Sequence, residues 1–190
     1  ILWNNELDGI IPSCVGDLTK LEDLNLGYND FSGELPGSIF NLTNLSNLDL
    51  GANGGLYGSL DSIGNLINLN KFSVWSSGFS GSIPESMENL EFLTDLSLSH
   101  NYFTGSIPPE IANLTNLNYL LLDDNYFSGS IPSEIGNLTE LTHLSLNDND
   151  LTGLVPNSFC NLPDGILLNL SGNNFCPPYP ECDGGPITSE

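Results

Sequence analysis

Apolar residues return along the chain in one 24-residue phrase. Residues 21–44 read LEDLNLGYNDFSGELPGSIFNLTN and 93–116 read LTDLSLSHNYFTGSIPPEIANLTN. Residues 117–140 read LNYLLLDDNYFSGSIPSEIGNLTE, and 141–164 read LTHLSLNDNDLTGLVPNSFCNLPD. The common frame is LxxLxLxxNxFSGxIPxxIGNLTx. Its opening alternates Leu with polar residues, the period-two mark of a half-buried strand. Each phrase therefore predicts one short strand, and successive copies are predicted to stack side by side about 4.8 Å apart in a parallel sheet. Leu96 and Leu98, Leu120 and Leu122, and Leu144 and Leu146 continue the same two inward rows. One phrase cannot cover its own apolar face, but a stack can. Ile83, Ile107, Ile131 and Val155, each before Pro, and the pairs Ile111/Leu114 and Ile135/Leu138 supply the remaining walls.

Polar positions are equally periodic. Frame position 9 is Asn at 5, 29, 53, 101, 125, 149 and 173. A buried amide there is expected to bond the turn backbone of its own and adjacent coils, a structural role. Gly at position 13 permits a tight turn, and Pro at position 16 opens the convex segment, predicted as a short helical turn. Coil 45–68 has an extra residue after Asn53 and no Pro, which predicts a local bulge, and coil 69–92 carries Ser77 in the Asn row.

A fixed period with LxxLxLxxN is the signature of leucine-rich repeats. The continuation LxGxIPxxIGxL resembles the plant-type subclass, which includes receptor-kinase ectodomains, polygalacturonase inhibitors and one plant antifreeze protein. The resemblance implies a right-handed α/β-type solenoid of about eight coils with its parallel sheet on the concave face. Residue 1 enters the frame at position 5, so the expectation is an array over 1–175 without its N-terminal cap. The run NNFCPPYPEC leaves the frame after Phe175. It resembles the C-terminal cap of plant-type repeats and the caps of secreted repeat proteins of aquatic bacteria and protists, giving a cap and tail over 176–190.

Cys176 and Cys182 flank PPYPE, and a disulfide between them would close this cap. Cys160, one coil earlier, competes for Cys182. Cys14, about six coils away, is left free, buried, or paired outside this chain. A capping disulfide implies an oxidising, extracellular setting. Asn41, Asn44, Asn113, Asn137 and Asn169 begin N-x-[ST] triplets and are candidate N-glycosylation sites, although NLT is also the frame's own phrase.

Charge narrows the function. Among 190 residues there are 24 Asp or Glu against two cations, Lys20 and Lys71, for a net charge of −22. Without a cationic surface to neutralise phosphates, nucleic-acid binding is excluded. No apolar run is long enough to insert in a membrane. No cofactor or metal-ligand motif occurs. His100 and His143 stand on different columns, and no serine has an evident base, so no enzyme is expected; DNDLTG at 148–153 fails as a calcium loop because Phe159 stands at its twelfth position.

What remains is the exposed strand face, whose residues the core does not dictate. Asp95, Asp123, Asp124 and Asp148 gather with His100 and His143 in the later coils, while Trp75, Tyr119 and Tyr28 are aromatics on an otherwise small, polar face. The expected function is extracellular, non-catalytic recognition of a protein, peptide or glycan there, with a cationic partner favoured and Asp123 and Asp124 central. The alternatives are a structural subunit of a surface layer, adhesin or fibre, formed by self-assembly, and an ice-binding protein using the hydroxyl row Ser32, Ser80, Thr104, Ser128 and Thr152.

Overall fold

The structure is a computed structural model, and it describes residues 2–182 and the backbone of 185–186. Each coil contributes one three-residue strand to a seven-stranded parallel sheet, from Asp23–Asn25 through Leu167–Asn169. Registry follows the period: Tyr119 pairs with His143 and with Asp95, each 24 residues away. The Leu rows behind this sheet are closed to solvent, as at Leu45, Leu48 and Leu50. Phe at position 11 forms a second inner stack, with the Phe103 and Phe127 rings parallel and 6.0 Å apart.

The convex wall is made of 3-10 turns rather than α-helix, most of them five residues long, as at Pro109–Asn113 and Ser133–Asn137. Pro12, Pro36, Pro84, Pro108, Pro132 and Pro156 each stand in extended backbone just before such a turn. Proline's fixed φ suits that entry position, and its missing N–H leaves no donor unsatisfied. Coil 45–68, which lacks the Pro, has only Ile63–Asn65.

Between the two walls runs a lateral ladder of strands, and it breaks once. Asp8–Gly9, Asp30–Glu34 and Gly55–Tyr57 form one sheet; Ser80–Gly81 through Asn174–Phe175 form another. The Asn row explains the break. Asn125 Nδ2 donates to the carbonyls of Leu98, Leu122 and Asp123, and its Oδ1 accepts the Phe103 N–H of the preceding coil. Ser77 is too short to repeat that last bond. Leu56 N–H turns instead to Asn53 O in its own coil, which the extra residue there allows. The insertion and Ser77 thus compensate one another, and the expected bulge becomes a change of partners.

The disulfide differs from the cap-closing pair. Cys160 bonds Cys182, with Cα atoms 5.2 Å apart, and Cys176 is free and exposed, as is Cys14. The frame gives the reason. Position 20 of one coil meets position 18 of the next. A Cβ on Gly16, Gly64 or Gly136 would collide with Ser38, Ser86 or Ser158 respectively. Cys160 and Cys182 occupy those same two positions, 22 residues apart. Cys176 belongs instead to the lateral ladder, where its N–H donates to Gly153 O. Residues 183–184 and 187–190 of the expected tail lie outside the described residues.

Candidate functional site

The concave face carries frame positions 3, 5 and 7. Its middle column is low: Ser73, Ser97 and Leu121 form the floor of a hollow of about 200 Å³, bordered by Asn47, Asp49, Lys71, Asp95 and Tyr119. Tyr119 is held upright by His143, their rings stacked 4.5 Å apart at 20°. Asp95 accepts from Thr94 Oγ1 at 2.6 Å and lies 3.4 Å from Lys71 Nζ. The single cation of this face is therefore matched by one of its acids. At such an exposed pair the bond contributes little to stability, but it fixes where both charges point.

Trp75, two residues beyond Ser73, lies outside this hollow and is not free-standing. Its ring lies directly over Gly51, where any Cβ would strike it, and meets Tyr28 edge-on at 5.3 Å. Tyr28 in turn meets Trp3 at 5.4 Å. Gly51 thus provides the seat on which an aromatic row crosses four coils. The contact of Trp3 with Tyr28 depends on the corner geometry.

The acidic group divides. Asp123, at position 7, is tied to the scaffold: it accepts from Ser99 Oγ at 2.6 Å, and His100 Nε2 lies 3.7 Å away. His100, Asp124 and Asp148 occupy position 8, expected on the strand but found at the corner beyond it. Every residue there is in left-handed backbone, including Asn4, Tyr28, Ala52, Ser76 and Gly172, with φ between 50° and 66°. Asn, Asp and His are enriched several-fold in that conformation. The backbone therefore explains the residue types at 100, 124 and 148 without any ligand. His100 Nδ1 is 2.5 Å from Asp124 Oδ2, and Asp148 accepts from Asn147 Nδ2. Asp95 stands apart from all of them, at the far border with Lys71. Among the described residues no three His, Cys, Asp or Glu side chains converge as they would around a metal ion.

Asn41, Asn113 and Asn137 are exposed at the ends of 3-10 turns, and Asn44 donates to Thr19 O. Asn113 Nδ2 donates to Glu88. Asn169 differs, lying in a concave strand with its Oδ1 engaged by Ser171. The hydroxyl row of position 12 is interrupted: the register that pairs Ser32 with Gly55 puts Tyr57, 52% exposed, in that row. A flat array across the whole molecule, as an ice surface would use, is not formed. No helix among the described residues is long and apolar enough to cross a membrane.

Sequence reasoning missed a pair on the lateral face. Tyr102 and Tyr126, at position 10, are exposed and stacked 6.3 Å apart at 14°. The recurring NYF is the signal for it in the sequence.

The comparisons accord with this architecture. A family model described as leucine-rich repeat region matches residues 56–163, and one described as leucine rich repeat matches 1–54. No curated protein matches the chain. Among solved structures, the Arabidopsis receptor kinase HAESA, in complex with the peptide hormone IDA and the co-receptor SERK1, superimposes with a TM-score of 0.90 at 40% identity. That match covers 95% of this chain and 30% of HAESA's. The ectodomain of GASSHO1/SCHENGEN3 from Arabidopsis thaliana, bound to CASPARIAN STRIP INTEGRITY FACTOR 2, gives 0.83 at 43% identity, covering 90% of this chain and 21% of that one. An internalin of Listeria monocytogenes gives 0.71 at 25% identity, covering 87% and 46%. This chain spans less than a third of the length of the two plant receptors. Period, ladder, turns and matches agree that the chain belongs to the leucine-rich repeat family, in its plant-type subclass.

Proposed function

We propose that this chain is an extracellular, non-catalytic recognition array that binds an extended peptide or protein segment along its concave face. The observation that carries the reading is the trough itself: a floor of Ser73, Ser97 and Leu121 beside Tyr119, with Trp75, seated on Gly51, two residues beyond Ser73 along the chain. Rigid aromatics beside small residues let a chain lie flat while side chains enter the hollow, the pattern of energetic anchors in interfaces. HAESA, the plant receptor that superimposes with a TM-score of 0.90, is bound to a peptide hormone, which supports a peptide here. Its charge of −22 favours a cationic partner, with encounter accelerated at low salt. The non-catalytic part rests on the histidines. His100 sits between two carboxylates, and His143 lies beneath Tyr119 beside a Thr142 hydroxyl that donates to the Asn118 carbonyl.

The test is selection of binders from a displayed library of random linear peptides, followed by calorimetry on the wild type and on Trp75→Ala, Tyr119→Ala and Ser97→Trp. The last fills the floor without touching the core. Selected peptides should lose tenfold or more on each variant, and most on Ser97→Trp. Peptides that bind all three variants as well as wild type, or a library that yields none, would overturn the reading.

A further inference from the structure

The lateral face at Tyr102 and Tyr126 belongs to neither the core nor the trough. In two consecutive coils, outward residues of this strand wall repeat as Tyr102, Thr104, Ser106 and Tyr126, Ser128, Ser130, all exposed. None carries a charge. On a molecule of net charge −22 an uncharged aromatic and hydroxyl surface is set apart from the rest. The inner residues of the same strands, Phe103 and Phe127, already fill the core, so packing does not call for tyrosine outside.

Beside these rings lies a cleft of about 230 Å³, lined by Ser77, His100, Tyr102, Asp124 and Tyr126 together with the ladder Asn side chains. That is the liquid volume of about seven waters, room for one pyranose ring. The irregular coil creates the opening. In coil 69–92 the frame position of the tyrosines is held by Gly78, which has no side chain to cover the outer face of Tyr102, and Ser77 stands where other coils carry the longer Asn. The polar lip is the His100–Asp124 pair, both of whose side chains are more than half exposed.

We infer that this lateral cleft is a second binding site, for a neutral oligosaccharide chain. The bare face of Tyr102 suits the C–H face of a sugar ring. The Asp124 carboxylate and the Tyr hydroxyls suit its equatorial hydroxyls. Thr104 and Ser128 continue a hydroxyl edge along which further units lie. An anionic sugar is disfavoured by the field of the molecule. A cationic peptide is disfavoured at this face because its recognition surface, apart from the lip, is uncharged. The inference does not depend on the concave-face reading, since no residue of the trough lines the cleft.

The test uses the full chain and four probes: cellohexaose, mannohexaose, an anionic hexagalacturonate and hexalysine, each titrated to millimolar concentration with heteronuclear shifts as the readout. At least one neutral hexasaccharide should bind, with shifts centred on Tyr102 and Tyr126. The Tyr102→Ala/Tyr126→Ala double variant should weaken it about tenfold or more, and its melting curve should stay close to wild type because both rings are exposed. Trp75→Ala and Tyr119→Ala should leave this binding unchanged. The inference is overturned if neither neutral probe binds, if hexagalacturonate or hexalysine binds the tyrosine pair more tightly, or if binding survives the double tyrosine variant.

Discussion

Removing the Cys160–Cys182 bond tests how the last coil is held. The bond closes a loop between residues 22 apart, and the chain-entropy account gives such a loop about 3 kcal/mol. Three other coil junctions use a Gly against a Ser at the same two positions. There the Ser hydroxyl also donates to the preceding coil, as Ser38 does to Ser13 O and Ser158 to Ser133 O. Cys160→Gly combined with Cys182→Ser therefore replaces the covalent junction by the chain's own non-covalent one. It should recover about 1 kcal/mol of net hydrogen bonding and remain about 2 kcal/mol less stable than wild type. Cys160→Ser alone, which crowds the junction and leaves a free thiol, should lose the full amount. Stability in a solenoid is a sum of nearest-neighbour terms, so the loss falls first on coil 165–182. Limited proteolysis of that segment should accelerate in the order wild type, double variant, single variant, while cleavage in coils 21–92 stays unchanged. A non-reducing digest that joins Cys176 to Cys182, or a Cys176→Ser variant as sensitive as Cys160→Ser, would refute the frame argument.

Asn125→Ala leaves the Phe103 N–H without its acceptor, while the Leu98, Leu122 and Asp123 carbonyls keep Asn101 Nδ2, Asn149 Nδ2 and the His100 N–H as donors; chemical denaturation should show a loss of about 1–3 kcal/mol, the cost of one buried unpaired group. Gly136→Ala places its Cβ against the Ser158 backbone, whereas Gly37→Ala meets nothing within 4 Å; thermal melts should show the first destabilised by about 2 kcal/mol or more and the second within about 0.5 kcal/mol of wild type. Ala52, held at φ 54°, should become more stable as Ala52→Asn, by up to about 1 kcal/mol, measured by the denaturation midpoint.

The strand rows were legible in the sequence because the period aligns like positions: Leu48, Leu96 and Leu144 follow from counting by 24. So were Asn125 and its companions, whose burial and role follow from spacing alone. Contacts between unlike positions were not legible. The Gly136–Ser158 and Cys160–Cys182 junctions join position 20 to position 18, an offset fixed by the pitch of the 3-10 turn, which the repeat length does not contain. Position 8 misled for a related reason. His100 and Asp124 look like strand residues when read by alternation, yet the chain has already turned there. The seat of Trp75 on Gly51 was hidden because it needs the direction of a ring, not its column. The site residues separate as a result: Tyr119 and Asp95 border the trough, Trp75 belongs to the aromatic row seated on Gly51, and His100, Asp124 and Asp148 mark the corner.

Hydroxyl-radical footprinting of the full chain, alone and saturated with a library-selected peptide, tests the concave-face reading most directly, because Trp, Tyr and His side chains react on both faces. The account predicts that Trp75, Tyr119 and His143 become protected while Tyr102, Tyr126 and the exposed Phe92, beyond the 3-10 turn Glu85–Asn89, keep their reactivity. Protection confined to Tyr102 and Tyr126 or to Phe92, with Trp75 and Tyr119 as reactive as before, would contradict it.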